Sequence, residues 1–321
     1  MASQLSRGII KRMKNTFFIF LLLLVFSCKG GSETQTNSNN SKDPLDDGKL
    51  IVSSFNINWF GLNGNQNGSL GTETRISFLK NFIEQNLSSS DIIIFQEIVD
   101  KNLFMNNLMK EFRCISYEDT LNINHQFIVA CILNKNYDFV KISGESDYIA
   151  ESVAVSSDLR PALVFGVRDK VSSNVLFNIM GVHLKNGLTY GPTRLDQVNE
   201  VLNFINASLD ENSFLIMGDF NTENPTPPID EDLIDDLFMN NSLKSFSPLV
   251  PKSLYTYRNS NYFERYDLAY IESSDESKVS GVSVFSMCTN PQTATYDFFD
   301  RIYYNSHISD HCPITVSVDL P

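Results

Sequence analysis

One pattern limits what this chain can fold into. From residue 50 to residue 318, short apolar runs of strand length recur, separated by stretches with helical periodicity, and several of the runs are stopped by Asn, Gln, Glu, His or Asp. The runs at residues 50–57, 91–96, 127–133, 162–167, 175–182, 214–217, 254–258, 268–271, 279–285 and 314–318 read as strands. The run Asp91-Ile92-Ile93-Ile94-Phe95-Gln96 is apolar without alternation, as in a strand buried on both faces. Ile76, Leu79, Ile83 and Leu87 recur at helical spacing after Thr72 and Glu73, and Leu195, Val198, Val201, Leu202 and Ile205 do so after Pro192 and Thr193. The sequence has no internal repeat and no second linker. Residues 49–321 therefore read as one α/β domain of mixed sheets with covering helices.

The N-terminal stretch follows a different rule. Lys11, Arg12 and Lys14 precede an unbroken run of 10 apolar residues, 17–26, which ends at Ser27 and Cys28. As a helix that run is about 15 Å long, half of a hydrocarbon core, so it reads as the apolar core of a signal peptide and not as a membrane span. Met13 alone would open a complete signal. Val25-Phe26-Ser27-Cys28 resembles a bacterial lipobox, with Phe26 departing from the small or branched residue usual there. The expectation is a signal peptide over residues 1–28 and an acylated Cys28. Residues 29–48, rich in Ser, Asn, Gln, Thr and Gly, form a flexible tether. The expected location is the cell envelope, extracytoplasmic and lipid-anchored, with the membrane as partner through the anchor. No protein partner is evident, and a monomer is expected.

Four further cysteines remain, and export would permit disulfides. Cys114 and Cys131 flank the polar stretch 119–125 and would face each other across a hairpin centred between Leu121 and Asn124. They stand either as a disulfide or as two buried free thiols, and we favour the thiols. No Cys-x-x-Cys pair supports a zinc ribbon. The net charge of −13 gives no general attraction to nucleic acid. If this chain cuts nucleic acid, a bound cation and local basic groups such as Arg160, Lys185 and Arg258 must supply the attraction.

The polar residues that stop the strands carry the chemistry. Asn56 ends the first strand; Gln96 and Glu97 end Ile-Ile-Ile-Phe; His183 ends Ile-Met-Gly-Val; Asp219 and Asn221 follow Leu-Ile-Met-Gly; Asp267 opens Asp-Leu-Ala-Tyr-Ile; Asp310 and His311 precede Cys-Pro-Ile-Thr-Val. Strand ends converging on one rim commonly build a site. Hydrolysis of a phosphodiester needs a cation on the phosphoryl oxygens, an activated water and a proton for the leaving oxygen. Glu97 and Asp310 are hard oxygen ligands suited to magnesium or manganese. Asn56 and Asn221 can donate to phosphate, Asp267 can orient His311, and Arg160 can neutralise a phosphate.

Taken in order, Asn56, Gln96-Glu97, Val182-His183-Leu184, Gly218-Asp219-Phe220-Asn221, Asp267 and Ser309-Asp310-His311-Cys312-Pro313 resemble the endonuclease/exonuclease/phosphatase superfamily, of which deoxyribonuclease I is a member. The resemblance covers nearly the whole of residues 49–321. It implies a four-layer α/β/β/α sandwich with two mixed, mainly antiparallel central sheets and the site at one sheet rim. It further implies that Glu97, Asn56 and Asp310 serve a Mg2+ site, with Mn2+ or Ca2+ as alternatives. Asp219 and Asn221 would hold water or phosphate, His183 and His311 would move protons, and Arg160-Pro161-Ala162 would be the phosphate-touching arginine loop. In the family a glutamate pairs with the first histidine. Here that stretch reads His125-Gln126, Glu118 lies nearby, and the partner of His183 is left open.

Several residues read more simply. Trp59 and Phe60 suit packing. The acidic run Asp230, Glu231, Asp232, Asp235 and Asp236 suits a solvated helix start, and Arg194 and Gln197 the exposed side of their helix. Tyr296, Phe298, Phe299, Tyr303 and Tyr304 suit core packing or a contact loop. The leading expectation is a nuclease leaving 5′-phosphate and 3′-hydroxyl ends, favoured by Lys185-Asn186-Gly187 after His183. A phospholipid phosphodiesterase similar to bacterial sphingomyelinase is the alternative. A non-catalytic binding module is disfavoured because the set of polar strand ends is intact.

Overall fold

Continuous apolar strands have two faces to bury, and the computed structural model buries both. It describes residues 48–62, 70–117, 126–142, 151–153, 159–208, 211–223, 230–259, 262–288 and 298–320, all within one compact unit, Asp43–Pro321. The expected signal peptide with Cys28, most of the expected tether, Glu118, residues 119–125 and Tyr296 lie outside the described residues.

One sheet contains β1 (Lys49–Phe60), β2 (Ile92–Ile98), β3 (Arg113–Ser116), β4 (Phe127–Ile132), β14 (Val279–Val284) and β15 (Ile314–Asp319), in the order β14-β15-β1-β2-β4-β3. The other contains β5 (Tyr137–Val140), β6 (Glu151–Val153), β7 (Ala162–Asp169), β8 (Val175–His183), β9 (Phe214–Asp219), β10 (Phe246–Pro248) and β13 (Asp267–Glu272). Its order is β10-β13-β9-β8-β7-β5, with β6 also on β7. Among the described residues, only β1 with β2 and β8 with β9 pair in parallel. A small ribbon joins β11 (Tyr257–Asn259) to β12 (Tyr262–Glu264). The helices are α1 (Thr72–Asn86), α2 (Lys101–Leu103, running into a π turn at Phe104–Leu108), α3 (Gly191–Ala207), α4 (Asp230–Met239) and α5 (Phe298–His307).

The period of two along each strand assigns the layers. In β8, Phe177 and Ile179 join the core between the sheets, while Met180 and Val182 join the core under α3 and α4. Gly181 lies on the inner face because nothing larger fits: a Cβ there would sit 2.7 Å from Ile94 and 3.2 Å from Ile128 of the other sheet. On the first sheet, Phe55 meets Phe82 of α1 at 5.4 Å and Phe95 meets Phe104 at 5.0 Å. Tyr304 of α5 packs on Phe82 and Phe285. The layers are thus helix, sheet, sheet, helix, as the resemblance implied. Each fully buried side chain contributes about 1.5–3 kcal/mol, and truncating Ile94 to Ala would cost about 2–5 kcal/mol.

Four sequence readings are corrected here. Cys114 and Cys131 are bonded, paired across β3 and β4 with Cα atoms 4.1 Å apart, and are not free thiols. Arg194 and Gln197 are buried, not exposed. The acidic run does open α4, but Asp230 is buried against Arg194 and Asp235 accepts from Tyr270 at 2.8 Å. Arg258 turns inward, donating to the Met287 carbonyl and stacking on Phe263, so it adds nothing to an outer basic surface. The structure also adds β5, β6, β10 and β12, which the sequence pattern did not mark, and a second disulfide, Cys288–Cys312. Phe60 is core, whereas Trp59 is half-buried at a cleft.

Candidate active site

The strand ends do meet. β1 loses its register with β2 between Asn56 and Phe60, and β2 breaks its register with β4 between Phe95 and Ile98. At these breaks Asn58, Trp59 and Glu97 take φ of 49°, 52° and 62°, and Asn221, past the end of β9, takes 50°. Among the described residues only one other non-glycine, Ser173, has positive φ, so left-handed backbone is concentrated at this rim. Such positions cost on the order of 1–3 kcal/mol each and persist only where the surroundings hold them. One restraint is visible: the Trp59 N–H donates to Glu97 Oε2 at 2.9 Å.

On the second sheet, β8 and β9 run side by side, so His183 and Asp219 are register partners. Gly218 permits this, since a Cβ there would lie 2.0 Å from the Val182 carbonyl. Asn56 bridges the two sheets. Its Nδ2 donates to Asp219 Oδ2 (2.9 Å) and Glu97 Oε1 (3.2 Å), with His311 Nε2 at 3.4 Å, and its Oδ1 accepts from the Asn58 N–H. Asp219 Oδ2 is 3.4 Å from His183 Nε2 and 3.8 Å from His311 Nε2, and Oδ1 accepts from the Asn221 N–H. The Asn221 amide donates to the Leu184 carbonyl.

His311 is held on every side. Its Nδ1 is 2.8 Å from Asp267 Oδ2, its N–H donates to Ser309 Oγ, and its carbonyl accepts from Tyr304. Ser309 Oγ in turn donates to the Asn56 carbonyl, and Cys312 is bonded to Cys288. Asp267 is thus placed to orient His311, as the sequence suggested. His183 differs: no carboxylate meets its Nδ1, which is buried and has no hydrogen-bond partner among the described residues. Gln126, at the position where the family's carboxylate was sought, accepts instead from Arg160 Nη1 at 2.7 Å.

Charge follows from this packing. Burial would lower the His311 pKa, but Asp267 and Asp219 outweigh it and push the imidazole up to about 10. Burial, then cationic Arg160 and His311, hold His183 well below its ordinary value. Burial raises Asp219 to about 7 against the opposing pull of His311, and raises Asp310 to about 6.

Arg160 is more structural than the sequence suggested. Its Nε donates to the His183 carbonyl at 3.0 Å and its Nη2 to the Leu184 carbonyl, leaving the guanidinium half-buried in a cleft of about 100 Å³. Trp59, Glu97, Lys185, Asn186 and Gln197 also line that cleft. Sequence reasoning missed Arg75. This buried α1 side chain donates to the Ile57 and Asn58 carbonyls of the β1 irregularity and to the Ile308 carbonyl before the last motif. Its signal was available, because Thr72, Arg75, Leu79 and Phe82 follow the spacing of one helical stripe.

The donor set fits a divalent cation. Glu97, His183 and Asp219 offer ligand atoms within 4.8 Å of one another, as do Asp219, Asp267 and His311; Asp310 belongs to neither group. Asp267 Oδ1 is buried without a hydrogen-bond partner among the described residues. Carboxylates crowded and desolvated in this way are stabilised by a hard cation.

No protein-family model matches the chain, and no curated protein matches it. Solved structures do match. TDP2 of D. rerio in complex with a single-strand DNA product gives a TM-score of 0.58 at 14% identity, over 84% of this chain and 99% of that one. The human nocturnin catalytic domain with bound sulfate gives 0.57 at 15%, over 86% and 96%. An endonuclease/exonuclease/phosphatase family protein from Bacteroides thetaiotaomicron gives 0.56 at 17%, over 85% and 98%. The fold is therefore that of the endonuclease/exonuclease/phosphatase proteins.

Proposed function

We propose that this chain is a metal-dependent phosphodiesterase, and within that class an extracytoplasmic nuclease that leaves 5′-phosphate and 3′-hydroxyl ends. The observation that carries the reading is the constellation of half-buried Glu97 with buried Asn56, His183, Asp219, Asp267 and His311, joined by direct contacts between the ends of the two sheets. Glu97, Asp310 and Asn56 would hold a Mg2+ ion, and Asp219 lies close enough to Glu97 to share it. Mn2+ or Ca2+ would suit the same oxygen donors. When bound, the cation supplies charge neutralisation on the phosphoryl oxygens.

The chain's own groups supply the rest. Asp219 is placed to accept a proton from the attacking water, its burial working to raise its basicity. The Asn221 N–H and the Asn56 amide fix its two oxygens. His311, cationic because of Asp267, offers Nε2–H to a phosphoryl or leaving oxygen. His183 is neutral, and the carboxylates beside its Nε2 favour the proton on that atom, directed into the site. Arg160 and Lys185 add positive charge along the cleft.

Nucleic acid as substrate is supported by the TDP2 complex with DNA product and by the basic cleft edge. The two disulfides fit an oxidising compartment, in agreement with an acylated Cys28 and a tether. Cys28→Ser should then move the protein from the detergent phase into the soluble fraction. A lipid phosphodiester is the second reading, favoured by exposed Leu188, Tyr190, Ile302 and Tyr303. Plasmid, single-stranded DNA, RNA, sphingomyelin and inositol phosphates, each incubated with the protein and Mg2+, separate the two; choline-phosphate release without nucleic-acid cleavage selects the lipid. For the site itself, activity is followed against Mg2+ concentration. Glu97→Gln should recover in part at excess Mg2+, whereas His311→Ala should not. Near wild-type turnover of both at ordinary Mg2+ would sink the assignment.

A further inference from the structure

The first turn of α3 contains a cation with no access to solvent. Arg194 is 0% exposed. Its Nε and Nη2 grip Asp230 at the start of α4, and its Nη1 donates to the Lys185 carbonyl at 2.7 Å and the Gly187 carbonyl at 3.0 Å. One turn later Gln197 Oε1 accepts from the Lys185 N–H at 2.9 Å. Both backbone groups of Lys185 are therefore held from α3. The close approach of Asp230 requires Gly191, where a Cβ would lie 2.5 Å from Asp230 Oδ1.

A buried ion pair is expensive to desolvate, and an apolar pair of similar volume often stabilises as well or better. What this pair yields is a fixed loop. The segment it fixes contributes Lys185 and Asn186 to the cleft beside Glu97 and Arg160. Beyond them it projects Leu188, 59% exposed, and Tyr190, 43% exposed, with the Lys185 ammonium 4.7 Å from the Tyr190 ring centre. Neither Arg194 nor Asp230 lines the cleft.

We propose that Arg194, with Asp230 and Gln197, is a positioning device that presents the Lys185-Asn186 edge and its aromatic rim to a nucleic-acid chain extending beyond the phosphate being cut. The inference rests on the nuclease reading and adds a part of the molecule that acts on chain binding alone. The ammonium and amide suit a neighbouring phosphate, and the exposed ring and leucine suit a base. A small phosphodiester, reaching only the Asn56–Asp219–His311 cluster, does not use this edge.

The test compares a long single-stranded oligonucleotide with bis(p-nitrophenyl) phosphate, using wild type, Arg194→Met, Arg194→Lys, Gln197→Leu and Lys185→Gln. Losing charged hydrogen bonds at the edge should raise KM for the oligonucleotide about tenfold or more. For the Arg194 variants, which lie outside the cleft, oligonucleotide kcat, the Mg2+ titration and hydrolysis of the small ester should stay at wild-type level. Arg194→Met combined with Lys185→Gln should be no worse than Lys185→Gln alone, because one acts through the other. If Arg194→Met does not fold, Arg194→Lys carries the same comparison, since a lysine keeps a cation for Asp230 but not the guanidinium's separate donors to the Lys185 and Gly187 carbonyls. Equal losses on both substrates, or an unchanged oligonucleotide KM, would overturn the proposal. A wild-type protein that hydrolyses only the small ester or sphingomyelin overturns the nuclease reading and this assignment together; one that cuts the oligonucleotide while the variants match it overturns this assignment alone.

Discussion

His311 and His183 flank the same carboxylate, with Nε2 atoms 3.8 and 3.4 Å from Asp219 Oδ2, but their surroundings drive them apart. His311 comes from the turn before β15 and has Asp267 on Nδ1, Ser309 on its N–H and Tyr304 on its carbonyl. His183 ends β8, has a cationic guanidinium bound to its own carbonyl and has no partner on Nδ1 among the described residues. Burial is shared, so the difference lies in the second neighbour: a carboxylate for one, an arginine for the other. Two titratable groups pushed in opposite directions divide the labour, the protonated His311 able to give a proton and the neutral His183 able to offer a hydrogen bond.

The largest effect should come from His311→Ala, a fall of about 10² to 10⁴-fold in turnover with the fold retained, read from single-turnover rates and a melting curve. His183→Ala should fall toward the low end of that range, about 10²-fold. A larger loss for His183 than for His311 would break the asymmetry. Titration of the imidazole nitrogens by NMR sharpens it: His311 should stay protonated past pH 7, and His183 should stay neutral at and below its ordinary value of 6.5. Asp267→Asn should lower activity about 10 to 100-fold and bring the His311 titration down toward neutral pH, by removing an orienting carboxylate.

The smallest effect is on stability. In metal-free protein Asp219 and Asp310 titrate near 7 and 6, above their ordinary 3.8, so the folded state keeps protons that the unfolded chain has released. Stability should therefore fall as pH rises from about 4 to 7, offset in part below 6.5 by His183, whose lowered pKa acts the other way, and the raised pKa of His311 should extend the fall from 6.5 toward 10. Melting temperatures with a chelator should decline across that window. Added Mg2+ should raise the melting temperature more at pH 7.5 than at pH 5, since the cation binds the deprotonated carboxylates. A flat metal-free profile would mean these carboxylates are solvated after all.

Much of this was legible in the chain. An apolar run such as 91–96 has no polar face to show water, so it had to be a buried strand, and the residue that stops it had to stand at a rim. Asn56, Glu97, His183, Asp219, Asp267 and His311 were found by that reasoning, and the structure brings them into contact. Of the buried arginines, Arg194 was read as solvent-facing because it is a cation, and Arg75 was not singled out at all. Both occupy stripe positions, Arg75 with Leu79 and Phe82, Arg194 with Val198 and Val201, where spacing predicts burial. They are tolerated there because carbonyls from irregular segments converge on the guanidinium.

By itself, then, the sequence determined the long apolar strands, which residues end them and in what order, because hydrophobic periodicity is a local property of the chain. Only the tertiary structure decided who meets whom: that Cys288 bonds Cys312, that Arg258 turns inward, that Gln126 takes Arg160 and leaves His183 Nδ1 without it, and that Lys185 is held from α3. Partner choice among polar groups depends on the stacking of two sheets and the loops between them, and those contacts join residues far apart in the chain, where no local pattern records them.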